Sequence, residues 1–587
     1  MRTPSLQYLY LQKPVTIVII IAAIAVLPFI GLGSFSTKGE PREASVAVSM
    51  LQTGNWILPH AYADEFAYKP PLYHWLVAIF SLPQGYVSEF TARLPSALAY
   101  ILLAGFTLLF FGERTKFQEA FIAVLLLITC FEIHRAGLAA RVDMLSSMLT
   151  VLSLYALYRW EEHRELKGIP LSISILLGCS ILSKGPVGVV LPLFAFGVYL
   201  LIMKKYSLLI LCKTLLYVGI SSLFIPLLWY VAAWKQGGDN FMSIMLAENF
   251  GRFLHIDNPA LAYDLGHRNG VWYHPVMLLA GFIPWTLLAL FSLGGIRYRM
   301  PQGRIPDLVR NAWAQIRSLE KVKLFSLVAA VCILIFYSIP TSKRSVYLMP
   351  AYPFVALLLA DYLLRIASCR KVLYRIFAGF LACIAFIFYI VIGAAMSGRL
   401  DIFGFAQKYC SLNASSQNEI AALSQGLATP GCLALVILFT GLAALISVLY
   451  HICKKNNLKL LYAAIALTLA INFAIDGIIM RSIQNGVSAK SFADQITQHY
   501  PLNDTNTFVV NDLREYGNLY GLNFYMKNIL RNFETAQPYD GYFLVAERDA
   551  NKVTTRYAAD YTFSPLASST WISDAKGRIF LYRFEKK

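Results

Sequence analysis

The chain has 587 residues, 57% of them hydrophobic and 14% charged, with a mean hydropathy of +0.56. Soluble domains carry about 25% charged residues, so a soluble globular protein is excluded, and a β-barrel would show short alternating segments instead of long apolar runs. The net charge of +18 does not point to nucleic acid, because Lys and Arg gather in short loops between apolar runs, the pattern that orients membrane helices.

Runs of ~20 apolar residues suffice to cross a bilayer core of about 30 Å. In chain order they predict thirteen spans, at 14–33, 91–111, 117–132, 143–159, 170–183, 187–203, 214–234, 272–296, 324–340, 345–364, 376–396, 431–452 and 460–480. The fold class is therefore a polytopic α-helical membrane protein. The first run lacks a small-residue cleavage site and reads as a retained helix. The run "PLYHWLVAIFSL" (71–82) is too short to cross. Counting it as a span would turn every later basic loop outward. It is expected instead to lie on the outer surface as an interfacial helix, with Tyr73, His74 and Trp75 at headgroup depth.

The basic loops 159–168, 204–213, 297–323, 365–375 and 454–459 are then cytoplasmic, and 34–90, 133–142, 184–186, 235–271, 341–344 and 397–430 are external. The tail from 481 is also external and changes character. "NTFVVND", "DGYFLVAERD" and "GRIFLYRFEKK" read as strands and "AKSFADQITQHY" as an amphipathic helix. This predicts a membrane domain over 1–480 and a small α/β domain over 481–587. The nine cysteines show no metal-ligand spacing, and Cys410 and Cys432 are the pair placed to meet outside, as a disulfide or as free thiols.

Ionisable residues collect on the external side near helix ends. The first loop supplies Glu40, Arg42, Glu43 and Lys69; later loops add His134, Arg135, Arg141, Asp143, Lys184, Glu248, Arg252, His255, His267, Arg268, Lys343 and Arg344. Each alone reads as a headgroup anchor. Gathered from several loops on one side, they read as a cavity lining, because ionisable groups at membrane depth are costly. Asp143 opens a helix, where the helix dipole favours an acid. Glu40 lies between Gly39 and Pro41, with a short helix starting near Pro41. Carboxylates beside cations suit a transfer in which a carboxylate assists an acceptor and cations hold an anionic leaving group such as phosphate. A lipid-tethered phosphate needs no nucleotide loop, and no Gly-rich phosphate loop is present. A secondary transporter would place its sites at the midplane in paired repeats, and no internal repeat is visible; a membrane scaffold would leave the charged first loop unexplained.

The stretch "KGEPREASVAVSMLQTGNWILPHAYADEFAYKPPLYHWL", with "FTARLPSALAY", "RVDML", "LSKGPVGVVLP", "ENFGRF", "WYHPVMLLAGFIPW" and "SKRSVYLMPAYPFVALLLA" following in order, resembles glycosyltransferase family 39-type membrane enzymes. These include protein O-mannosyltransferases and the lipid A aminoarabinose transferase. The resemblance covers about 30–365 and implies a GT-C fold and a polyprenyl-phosphate sugar donor. It also implies a lipid or protein acceptor, membrane lipids as surroundings, no nucleic acid, and a bacterial inner-membrane enzyme working on the periplasmic side. Carried over residue by residue, it implies Glu40 as the acid at the acceptor, Asp143 as a second acid at the start of a membrane helix and Lys69 of "YKPP" as a ligand of the lipid phosphate, with Arg252, His267 and Lys343 lining the same pocket. Glu40 is then the first-choice base, with Arg42 orienting or pairing it, and Arg141 and Arg344 join the substrate-binding set. Two positions depart from the pattern. Many relatives have Asp-Glu where this chain has Gly39-Glu40. The aminoarabinose transferases have Glu before the lysine, where this chain has Tyr68. That Glu helps bind a divalent metal, so a metal here would need Asp64 or Glu65 as a substitute.

Overall fold

A helical body carries a small mixed sheet at its C-terminal end. The computed structural model describes residues 6–67, 69–248, 269–294, 305–340, 342–510 and 517–587. Six described helices are long and apolar enough to cross a membrane, and nine if each of three bent pairs forms one span. Shorter apolar helices occupy Gln12–Val26, Leu171–Lys184 and Val187–Met203.

Helix α1 (Leu6–Val26) leads into a turn-rich connection and then α2 (Gly39–Thr53). Helix α3 is Leu72–Ser81, and α4 (Glu89–Gly112) starts at a capping box in which Ser88 and Thr91 satisfy each other's backbone amides. The short helix at 71–82 is thus present, and its Tyr73 and His74 side chains are buried against protein instead of facing outward. Positions 73, 77 and 81 recur at helical spacing and press α3 inward against α2 and α4. The Tyr73 hydroxyl donates to the Ala92 carbonyl at 2.8 Å.

The expected span at 117–132 is a pair, α5 (Phe117–Thr129) and α6 (Phe131–Gly137), bent by 65°. Cys130 is extended at the break. Helix α7 (Val142–Arg164) is buried along most of its length in spite of many hydroxyls. Ser147 and Ser153 donate to the carbonyls four residues earlier, at 2.7 and 2.8 Å, which satisfies these two hydroxyls within the helix. Helices α8 (Leu171–Lys184) and α9 (Val187–Met203) follow, then α10 (Leu208–Ser222) and α11 (Phe224–Leu246), bent by 48°.

The run 272–296, read from sequence as one straight span, is instead broken into Tyr273–Gly281 and Trp285–Leu293 at 106°. Pro284 at the junction denies the second helix an amide donor. The Trp285 indole anchors the turn to Thr129 Oγ1 at 3.0 Å. Apolar helices at Lys321–Ser338, Tyr352–Cys369, Lys371–Met396 and Cys432–Cys453 complete the body, together with a continuous helical stretch at 457–486 that contains a π-turn. The loop expected at 397–430 contains two helices, Ile402–Tyr409 and Ala414–Ala428. Cys410 and Cys432 are both free thiols.

In the tail, helix Lys490–His499 precedes a five-stranded sheet ordered β2-β1-β3-β5-β4. Its strands are β1 (Thr507–Val509), β2 (Arg531–Asn532), β3 (Asp540–Ala546), β4 (Tyr561–Ser568) and β5 (Ile579–Lys586). Strand β1 pairs in parallel with β2 and β3, and β5 is antiparallel to both β3 and β4. One face of this sheet shares a core with the first loop: Tyr62 and Ala63 lie among Phe492, Leu519, Tyr520 and Leu544.

Candidate functional site

The site begins with α2, whose first turn puts Glu40 and Glu43 on one buried face at i, i+3 spacing. Glu40 faces Arg93, one turn into α4. Arg93 Nε donates to Glu40 Oε1 at 2.8 Å and its terminal nitrogen to Oε2 at 3.2 Å. The amide of Ala140 adds a third bond to Oε1 at 3.0 Å. Arg93 also donates to the carbonyls of Ile30 and Gly33 and lies over the Phe35 ring. Burial alone would raise the Glu40 carboxyl, but Arg93, the Ala140 amide and Arg141 outweigh it and hold the group below the usual carboxylate range.

Glu43 collects three cationic or proton-bearing partners. Lys69 meets Oε1, Arg42 reaches Oε1 at 3.1 Å, and His74 Nε2 pairs with Oε2 at 2.9 Å. Burial works to raise this carboxyl too, and Lys69, Arg42 and His74 together hold it well below the ordinary value. The other His74 nitrogen, Nδ1, is buried without a partner. Burial lowers the Lys69 ammonium to about 8, with Arg42 pushing the same way and Glu43 opposing. The charge of Asp143 also acts on Lys69, so the second acid adjoins the first group.

Asp143 sits in the first turn of α7 and receives Lys184 Nζ at 2.6 Å. Lys184 lies 4.5 Å from the centre of the Tyr347 ring. The charges of Arg141 and Arg344 both act on Asp143. Arg141 packs directly over Gly39: a Cβ there would fall 2.3 Å from its guanidinium. Glycine at 39 therefore makes room for a cation between Glu40 and Asp143.

The structure thus brings together Glu40, Arg42, Lys69, Arg141, Asp143 and Arg344 of the residues expected from sequence. Lys343 is buried, with Nζ on the Asn269 carbonyl at 3.2 Å. The His274 ring bonds the Arg344 carbonyl at 3.2 Å. Arg252 and His267 lie outside the described residues. Three members were not singled out from sequence: Arg93, His74 and Glu43 in its central role. Arg93 carried a signal, since an arginine inside a membrane helix is by itself a mark of pairing or function.

The donor set does not suit a divalent metal. Each carboxylate in the cluster faces cations, and among the described residues no three His, Cys, Asp or Glu side chains converge. Asp64 turns away to the tail domain, where Arg531 meets it at 3.2 Å.

Residues 68–234 match the family model described as dolichyl-phosphate-mannose-protein mannosyltransferase. The chain is 24% identical over 335 residues to the undecaprenyl phosphate-alpha-4-amino-4-deoxy-L-arabinose arabinosyl transferase of Erwinia tasmaniensis, covering 56% of this chain and 55% of that one. It is 25% identical over 382 residues to the enzyme of that name from Yersinia enterocolitica, covering 62% of each. The matches thus span little more than half the length of these relatives. The crystal structure of ArnT from Cupriavidus metallidurans bound to undecaprenyl phosphate superimposes with a TM-score of 0.67 over 97% of this chain and 98% of that one, at 17% identity. This chain has the ArnT fold. The resemblance read from the first loop and the motifs after it is borne out, and the ArnT-like part reaches beyond residue 365 to take in the tail domain.

Proposed function

We propose that the protein is an integral-membrane glycosyltransferase that moves a sugar from polyprenyl phosphate to an envelope acceptor. The leading acceptor is a glycolipid such as lipid A. The observation that carries this reading is the excess of cations around buried acids: Lys69 and Arg42 on Glu43, beside Lys184, Arg141 and Arg344 around Asp143. A dianionic leaving group would neutralise that excess, and preorganised cations are worth most where water is excluded. The relatives' names, which specify undecaprenyl phosphate, support the donor. In the same reading the protein has thirteen spans, a membrane domain over 1–480 and a tail domain over 481–587, and the cluster opens to the periplasm.

The reaction is a single inverting displacement. An acceptor oxygen bonds to the anomeric carbon, the bond to the phosphate oxygen breaks, and polyprenyl phosphate leaves with the electron pair towards Lys69 and Arg42. A phosphate acceptor is already ionised and needs no base. For a hydroxyl acceptor Asp143 takes the proton, while Glu40, with both oxygens on Arg93, holds α2 against α4. Protein O-glycosylation is the second reading, favoured by the description of the matching family model.

Transfer from a polyprenyl-phosphate sugar to extracted envelope lipids and to added protein, followed by mass spectrometry, tests the proposal. A gain of one sugar in the lipid fraction that is lost in Lys69→Ala and reduced in Asp143→Asn supports it. A gain in protein selects the second reading, and no transfer by folded wild type rejects both.

A further inference from the structure

A second polar cluster lies where the tail sheet meets the first loop. In open α/β sheets ligands bind outside the carboxyl ends of the strands, where successive connections diverge. Here the chain leaves β1 for β2 on one side and returns to β3 on the other. Past the end of β3, Arg548 lies over Gly517, and Asp549 Oδ2 is spent on the Gly517 amide at 2.8 Å and on Arg548 Nε at 3.2 Å. A turn closed by the Ile572–Gly577 bridge carries Asp574 and Lys576. Its Ser573 amide donates to the Val487 carbonyl at 3.0 Å, and the next residue, Ser488, donates to the Phe35 carbonyl at 2.8 Å. That contact seats the turn three residues from Lys38, the residue that opens α2 and lies two before Glu40.

The polar accounts of this lip do not close. Asp574 is 5% exposed; its Oδ2 accepts from the Gly521 amide at 2.7 Å, while its Oδ1 is buried with no partner. Asn518 Oδ1 is likewise buried and bare. Lys38 and Lys576 have no carboxylate within ion-pair distance among the described residues. The charges of Asp574, Arg548, Lys576 and Asp549 all reach Lys38. Burial raises the Asp574 carboxyl to about 6, against the pull of the Gly521 amide and Lys38. Buried acceptors without donors, beside two lysines that no described carboxylate meets at ion-pair distance, describe a site built for something that brings both an anion and hydroxyl donors.

We infer that this lip is a second binding site, which takes the phosphorylated sugar headgroup of the acceptor: Lys38 and Lys576 hold the phosphate, and Asp574 Oδ1 and Asn518 Oδ1 accept sugar hydroxyls. Its role as an acceptor site rests on the transfer reading above; the binding chemistry does not. The site lies at the start of α2, so a headgroup held there projects towards the Lys69–Asp143 group, and the tail domain supplies acceptor recognition to a reaction carried out in the membrane body.

Two measurements on the full chain in detergent test this. The first is binding of glucose 1-phosphate as a soluble probe. The expected result is millimolar binding, weakened at least fivefold in Lys38→Ala/Lys576→Ala and in Asp574→Asn, and unchanged in Lys69→Ala. Absence of binding, or equal binding by wild type and the double variant, overturns the site. The second is transfer to native and phosphatase-treated envelope lipids. In the double variant the acceptor KM rises about tenfold on native lipid, with donor KM unchanged, and the variant and wild type become alike on treated lipid. A KM that rises equally on both lipids, or preferred transfer to protein, overturns the headgroup assignment. No transfer by wild type, with lysine-dependent probe binding intact, contradicts the transfer reading and keeps the site.

Discussion

Two buried ion clusters in the helical body have opposite stoichiometry. In one a single ammonium, Lys323, serves several acids: Glu119 at 3.0 Å, Asp361 at 3.1 Å and Glu320 at 3.6 Å. In the other a single carboxylate, Glu43, meets Lys69, Arg42 and the His74 ring. Both clusters tie together helices distant in sequence, and both are paired well enough to exist in a low-dielectric interior. The first counts three acids, Glu119, Glu320 and Asp361, against two cations, Lys323 and Arg365, the latter on the second oxygen of Asp361 at 2.8 Å. The second leaves positive charge in excess, which the proposed lipid phosphate would offset. Burial of charge therefore does not by itself mark an anion site; the sign of the excess does.

The contrast is sharpest in Lys69→Ala, which removes the cation nearest the proposed phosphate. Transfer should fall by ~10³, or about 4 kcal/mol, with little change in melting temperature. Initial rates on purified protein give the answer. Lys323→Ala should do the reverse. It strands the buried Glu119 carboxylate and leaves Asp361 to Arg365 alone, at a cost of about 3 kcal/mol in stability, while the rate per folded molecule stays at the wild-type value. Thermal melts run beside the transfer assay separate the two.

Gly39→Ala comes next. The added methyl would fall 2.3 Å from the Arg141 guanidinium, so Arg141 must move, and overpacking of this kind costs about 1–3 kcal/mol. A roughly tenfold fall in kcat/KM is expected, with a smaller change in Gly39→Ala/Arg141→Ala than the two single effects combined. Lys69 also gives the cluster a pH dependence. Its folded value, about 8, lies below the ordinary 10.5, so the ammonium is present below about 8 and lost above it. Affinity for polyprenyl phosphate should weaken as pH rises from 7 to 9, and Lys69→Arg should flatten that profile. For the same reason Lys69 opposes folding below its folded value and ceases to do so as pH approaches 10.5. The smallest effect belongs to Arg531→Ala: its pairs with Asp64 and Asp504 at 3.2 and 3.3 Å are exposed, and less than about 1 kcal/mol should be lost.

Much of this arrangement is legible in the sequence, for identifiable reasons. Apolar runs give the helices because length and hydropathy are local properties. The tail strands at 540–546 and 579–586 follow from local pattern as well. The first loop announces itself by charge density. Pairings do not announce themselves: Glu40 meets Arg93 across 53 positions and Asp143 meets Lys184 across 41, and no local pattern encodes such a contact. The aromatic run at 73–75 reads as an interfacial belt because composition cannot tell which face of α3 turns inward. The break at Pro284 is hidden because its two flanking helices together have the length of one span. Strand β4 escaped because its residues Ser564, Pro565 and Ala567 dilute the alternation that marks a strand.

On the proposed reading the cation-rich cluster, and not the acid-rich one, holds a lipid phosphate. Direct binding of polyprenyl phosphate to wild type, Lys69→Ala and Lys323→Ala, each reconstituted in nanodiscs and confirmed as folded, is the measurement closest to that claim. The account predicts saturable binding by wild type and Lys323→Ala and at least tenfold weaker binding by Lys69→Ala. Equal binding by all three, or loss in Lys323→Ala alone, would contradict it.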